Sequence, residues 1–215
     1  QRCTSSSRIV VHESVYENFI EMFKAAALKL RLGNGLNKNT DIGPLVNQPQ
    51  MKRVLDYIEI GKSEGARLVT GGNACTGGEC SKGYFIAPTI FADVDPKMRI
   101  AQEEIFGPVV CVIKAKGIED AIEIVNNVSY GLVSSIYTQD INKSAIAERD
   151  LDTGIVYINA STIGAEVQLP FGGTKRSGFG YKEAGGRGGA LDMFTEWKVI
   201  YRDFSGKLQK AQIDK

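Results

Sequence analysis

Histidine is all but missing from these 215 residues: His12 is the only one. That scarcity removes whole classes of chemistry. Cysteine hydrolases usually lean on a histidine base, and His12 falls at the far end of the predicted strand that follows the first cysteine. A structural zinc site wants a full set of Cys and His ligands, and His12 lies beside only one of four scattered cysteines, so no metal is expected. An excess of one charge is missing too. Lys and Arg number 26, Asp and Glu 25, and the signs are well mixed. That argues against a dedicated nucleic-acid or membrane surface. No apolar run approaches the length of a membrane span, and no signal peptide, internal repeat, low-complexity segment or interdomain linker is visible. The setting expected is cytoplasmic.

The cysteines stand at 3, 75, 80 and 111. Cys111 sits in an apolar run, 108–113, and is expected in the core. Cys75 and Cys80 bracket a turn-forming stretch, as a local disulfide or, in a reducing compartment, as free thiols. Cys3 lies among small hydroxyl residues between Arg2 and Arg8. Cationic neighbours favour the reactive thiolate, which can attack an electrophilic carbon. The bland alternative is a small buried hydrophobe.

Strand-like and helix-like segments alternate along the chain. A strand at 9–11 precedes Ser14-Val15-Tyr16-Glu17, which fits a capping box. Tyr16, Phe19, Ile20, Phe23, Ala27 and Leu30 then follow at helical spacing, with Gly33-Asn34-Gly35 as the stop. Further helices are predicted over 49–63, 118–128, 142–151 and up to Phe194. Strands are predicted over 67–70, 109–115, 132–138, 155–159 and 196–203. Residues 71–83 read as a surface hairpin or loop, and 84–94 as extended, with Pro88 at an edge or bend. Residues 206–215 read as a polar tail. Alternation of this kind predicts an α/β fold, a largely parallel twisted sheet flanked by helices, with sites at the carboxyl ends of its strands.

Three segments resemble one family. They are Gln1-Arg2-Cys3-Thr4 with Arg8, then Glu103-Glu104-Ile105-Phe106-Gly107-Pro108-Val109, then Pro170-Phe171-Gly172-Gly173-Thr174-Lys175-Arg176-Ser177-Gly178. In this order and spacing they resemble the C-terminal half of an NAD(P)-dependent aldehyde dehydrogenase, from residue 1 to about 203. The resemblance implies a catalytic domain over 1–194 and a C-terminal oligomerisation strand and tail over 195–215. Cys3 becomes the nucleophile that oxidises an aldehyde to a carboxylic acid through a thiohemiacetal and a thioester. Glu104 and Phe106 are similar to residues that hold the nicotinamide ribose and ring of NAD or NADP. Phe171 should line the substrate tunnel, Gly172 and Gly173 should be conformational, and Glu103 structural. Glu183 falls where the family's Gly-Arg-Glu is replaced by Gly180-Tyr181-Lys182-Glu183, which leaves its register and any water-relay role open.

Arg2 and Thr162-Ile163-Gly164-Ala165-Glu166 look similar to members that act on semialdehydes bearing a carboxylate, which an arginine could bind by a charge-assisted bond. A solvated Arg2 is the alternative. Family members carry their nicotinamide domain, general-base glutamate and oxyanion-hole asparagine ahead of the nucleophile. The chain is therefore expected to be a fragment that is inactive alone. Its expected partners are a small-molecule aldehyde and either a homo-oligomer, dimer or tetramer, or a separate N-terminal half. A non-catalytic oligomerisation piece and an acyl-CoA-forming enzyme are the competing readings.

Overall fold

The computed structural model describes residues 1–164, 166, 169–178 and 189–207. Its first strand, β1 (Arg8–His12), ends in a single helical turn, Glu13–Val15. The expected capping box does not form. The His12 Nδ1 lies 2.8 Å from Ser14 Oγ and accepts from the Ser14 N–H at 3.2 Å, so the hydroxyl is diverted to the ring. Helix α1 (Tyr16–Ala27) then starts without a side-chain cap. Tyr16, Ile20 and Ala27 are buried along one stripe, and Phe19 stacks on Phe23 with ring centroids 5.5 Å apart. The helix stops at Ala27, well before the glycines expected to end it. Asp41 draws the chain away by accepting from both the N–H and the guanidinium of Arg31, and Gly33 N–H bonds Ile42 O at 3.1 Å. Leu28 and Leu30 are left exposed.

Helix α2 (Gln48–Ser63) is capped by Asn47, whose side chain accepts from Gln50 N at 2.9 Å. It buries Val54, Tyr57, Ile58 and Gly61. Gly65, at φ 92°, takes the left-handed turn that stops it. The chain continues as β2 (Arg67–Thr70), β3 (Ala74–Cys75), a turn over Gly78–Lys82, β4 (Phe85–Ile86) and β5 (Thr89–Ala92). The predicted hairpin is real, since β3 pairs antiparallel with β4. Pro88 marks a bend, not an edge, because β5 is an inner strand.

A four-residue helix that the sequence did not announce, α3 (Arg99–Gln102), leads to β6 (Val109–Ala115) and α4 (Ile118–Asn126). After β7 (Tyr130–Gly131) and β8 (Val133–Ile136), Asp140 caps α5 (Ile141–Asp150) by accepting from Asn142 and Lys143 N–H. The last elements are β9 (Ile155–Ile158), β10 (Thr174–Lys175) and α6 (Ala190–Phe194).

The main sheet runs β1–β6–β5–β2. Its β1/β6 and β5/β6 pairs are parallel and β2 is antiparallel. A second parallel pair is β8/β9, and β7 pairs antiparallel with β10. Helices cover both faces of the main sheet. Phe91, Cys111 and Ile113 point with Val54, Ile58 and Ile100 into one core, while Ile90, Ala92 and Val112 point with Val11, Tyr16 and Ile20 into the other. That alternation is the two-residue period of a strand buried on both sides.

The strand expected over 196–203 is not paired among the described residues. Residues 195–202 carry no ladder, and Trp197 and Tyr201 are 81% and 93% exposed. A strand needs a neighbouring edge, and none of the described elements offers one there. The Gly180-Tyr181-Lys182-Glu183 stretch, Ala165 and the tail beyond 207 lie outside the described residues. No helix among the described residues is long and apolar enough to cross a membrane.

Candidate active site

Residues 2–5 form a tight turn in which Ser5 N–H bonds Arg2 O at 3.0 Å, and the Ser5 hydroxyl accepts from Arg2 N–H at 3.0 Å. Small hydroxyl side chains bond their own backbone readily, which is why they favour such turns. Cys3 is lifted to the exposed crest of the turn. The turn is pinned from two sides. Behind it, Cys111 N–H of β6 bonds Ser7 O at 2.9 Å. Beside it, the buried Thr162 donates its hydroxyl to Thr4 O at 2.6 Å and lies 3.3 Å from Ser6 Oγ. The loop after β9 therefore reaches the Cys3 turn through Thr162.

Cys3 opens onto a cavity of about 400 Å³ that Arg2, Glu104, Phe106, Tyr130 and Arg176 also line. Four of the five residues expected at the site thus share one cavity. The fifth, Phe171, is half-buried and does not line it. Its neighbour Gly173 is confined by close approach: a Cβ there would stand 2.4 Å from Ser177 Cβ and 2.8 Å from Ser177 O.

Arg8, the second cation expected near Cys3, lines the same cavity. It donates to Ile124 O, the last turn of α4, and its Nε is buried without a partner among the described residues. Burial pulls its pKa below the usual arginine value, an effect that Cys111 opposes.

Glu103 and Glu104 diverge. Glu103 accepts a bidentate pair from Arg99 at 2.9 and 3.0 Å and the Tyr57 hydroxyl at 2.6 Å. These bonds hold its carboxyl down at about 2. Glu104 is exposed at the cavity. Phe106 is 43% exposed and sits at φ 55°, a backbone conformation that a bulky residue seldom adopts.

Helix α2 supplies the restraint. Gln50 Nε2 donates to both Ile105 O and Phe106 O at 3.0 Å, and Arg53 Nη2 donates to Glu104 O at 2.8 Å. Neither residue, nor Thr162 as an anchor, was singled out from sequence. Gln50 and Arg53 lie three apart on α2, hence on one face, and that spacing was the available signal.

Two of the remaining cysteines are held as thiols by burial. Cys111 is in the core and burial pushes its thiol up to about 12. Cys75 and Cys80 are free thiols, with Cys80 raised to about 11 by burial and by its hydrogen bond with Cys75.

Comparison with known proteins shows the family. Residues 1–200 match the model of the aldehyde dehydrogenase family. Alpha-ketoglutaric semialdehyde dehydrogenase of Bacillus subtilis is 40% identical over 201 residues, covering 94% of this chain and 41% of that one. An aldehyde dehydrogenase structure from Bacillus cereus superposes with a TM-score of 0.84 at 42% identity, over 91% of this chain and 38% of that one. Betaine aldehyde dehydrogenase from Staphylococcus aureus, solved in complex with NAD+, gives 0.81 at 35% identity, over 85% and 36%. The chain thus spans about two-fifths of the length of the relatives it matches.

Proposed function

The chain belongs to the aldehyde dehydrogenase family, and from that premise we propose that it carries the nucleophile side of an NAD(P)-dependent aldehyde-oxidising site. The observation that carries the proposal is the convergence of Cys3, Glu104 and Phe106 on one cavity from segments a hundred residues apart in sequence. Cys3 Sγ attacks the aldehyde carbon and forms a thiohemiacetal, with its backbone N–H facing the developing oxyanion. A bound nicotinamide supplies the hydride acceptor. The thioester left on Cys3 is then hydrolysed, which releases the acid and restores the thiol.

An exposed carboxylate beside an exposed aromatic ring suits the ribose and ring of that cofactor. Glu104 would accept from ribose hydroxyls, and Phe106 would pack against the ring. The cavity is of a size for that end of a dinucleotide, so the remainder is held by the part of the enzyme that this chain does not span. The general base for hydrolysis and the second oxyanion donor belong there too.

The substrate we propose is a small semialdehyde with a remote carboxylate. The name of the Bacillus subtilis relative favours it, and Arg2 lines the Cys3 cavity. The working unit is proposed to be a homo-oligomer, because Trp197, Val199 and Tyr201 stand exposed in an extended segment.

The test compares a dicarboxylic semialdehyde with an uncharged aldehyde of equal length, in intact wild-type enzyme and in Arg2→Ala. The expected result is a wild-type preference for the charged substrate that shrinks roughly tenfold to a hundredfold in the variant, the loss of one charge-assisted bond. Equal losses on both aldehydes would refute the carboxylate role. Cys3→Ala should abolish oxidation of both.

A further inference from the structure

Tyr57 of α2 is buried and does not line the Cys3 cavity. It nevertheless meets both restraints on the cavity's exposed carboxylate. Its hydroxyl donates to Glu103 Oε2 at 2.6 Å, a charge-assisted bond. Its ring carries the Arg53 guanidinium 5.5 Å from the centroid, and that same guanidinium donates to Glu104 O at 2.8 Å. Arg53 and Tyr57 stand one helical turn apart on one face of α2, which is what lets the cation lie on the ring. The guanidinium of Arg99, the first residue of α3, lies 5.8 Å from the same ring and makes the bidentate pair with Glu103. One ring therefore bears two cations, one tied to Glu103 and the other to Glu104.

The two neighbouring carboxylates divide the work. Glu103 is spent on Arg99 and Tyr57. Glu104 is exposed at the cavity, so its carboxylate is aimed by its backbone. That backbone is gripped at residue 104 by Arg53 and anchored one residue earlier by the Glu103 side chain. The hydroxyl bond fixes the Tyr57 ring, and the fixed ring seats the cation that grips Glu104 O.

We propose that Tyr57 is a positioning residue for the cofactor: through its hydroxyl on Glu103 and its ring against Arg53, it holds Glu104 in place for the nicotinamide ribose. The inference rests on the ribose role proposed above for Glu104. Gln50 holds the carbonyls of residues 105 and 106 by a separate route. The loss of Tyr57 should therefore fall on cofactor affinity more than on hydride transfer, and on neither aldehyde binding nor the thiol of Cys3.

The test is a double-mutant cycle in the intact enzyme, with NADH and NADPH titrated by fluorescence. Tyr57→Phe keeps the ring and deletes the donor. The Kd of the reduced cofactor should rise about three- to tenfold in Tyr57→Phe and at least as much in Glu104→Gln. The double variant should bind no more weakly than Glu104→Gln alone, because both changes act through one group. Aldehyde KM and the rate of Cys3 alkylation should stay nearly fixed. A merely structural tyrosine would lower the urea midpoint and leave the Kd alone, and that result would overturn the inference. Additive losses in the double variant would overturn it too. An unchanged Kd in Glu104→Gln would defeat the ribose reading and the inference with it, whereas a loss there with none at Tyr57 would defeat the inference alone. Arg53→Met breaks the same path at an exposed residue and decides the matter should Tyr57→Phe misfold: its loss should also vanish in the Glu104→Gln background, and an additive loss would overturn the inference.

Discussion

Cys3 and Cys111 carry the same functional group and opposite prospects. Cys3 rides an exposed turn built by Ser5, while Cys111 is sealed in the core with its thiol at about 12. Iodoacetamide at neutral pH should label Cys3 at least about a hundredfold faster than Cys111, because only a thiolate reacts. Peptide mapping gives the ratio, and comparable rates would mean that the core is open. Thr162 governs the same turn. Thr162→Val keeps the shape and deletes the donor to Thr4 O. The cost should be about 1–3 kcal/mol for a buried, unsatisfied carbonyl. Urea titration should show that loss, and in the intact enzyme kcat should fall while aldehyde KM stays nearly fixed. The hydroxyl-rich setting of Cys3 was legible in the sequence. The hand that holds it was not, because Thr162 lies 158 residues away and only the fold brings the two together.

At the scale of elements, α2 sets the Glu104–Phe106 segment through Gln50 and Arg53. Gln50→Ala should release the strained Phe106 backbone and slow hydride transfer by roughly tenfold or more through lost orientation, with little effect on aldehyde affinity. Pre-steady-state NAD(P)H formation is the measurement. The Glu103 carboxyl, with its pKa lowered from 4.5 to about 2, contributes stability that is whole above about pH 5. That contribution is lost as pH falls through the native value. Glu103→Gln should therefore lower stability near neutrality and flatten its fall between pH 4.5 and 2. A parallel offset at every pH would deny the linkage. The contribution is modest, since the pair with Arg99 is well exposed.

The sequence pattern foretold α2, β2, β6, α4 and α5 to within a few residues, the helices from an apolar stripe and β6 from a continuous apolar run. It missed α3, which is one turn long, and the two-residue strands β7 and β10, which have no period to show. It overran α1, because Asp41 bends the chain away by a contact ten residues distant.

Across the whole molecule, the main sheet carries helices on both faces, and the 195–202 segment stands exposed. The chain by itself should show no aldehyde oxidation with NAD+ or NADP+, since losing even one oxyanion donor typically costs on the order of a hundredfold. The claim on which the rest depends is that Cys3 bears the acyl group. Intact enzyme mixed with a semialdehyde and NAD(P)+ should be quenched in acid within one turnover and digested. Mass spectrometry should find the acyl adduct on the peptide holding Cys3 and on no other cysteine. Turnover without an adduct there, or an adduct on Cys75 or Cys80, would contradict the account.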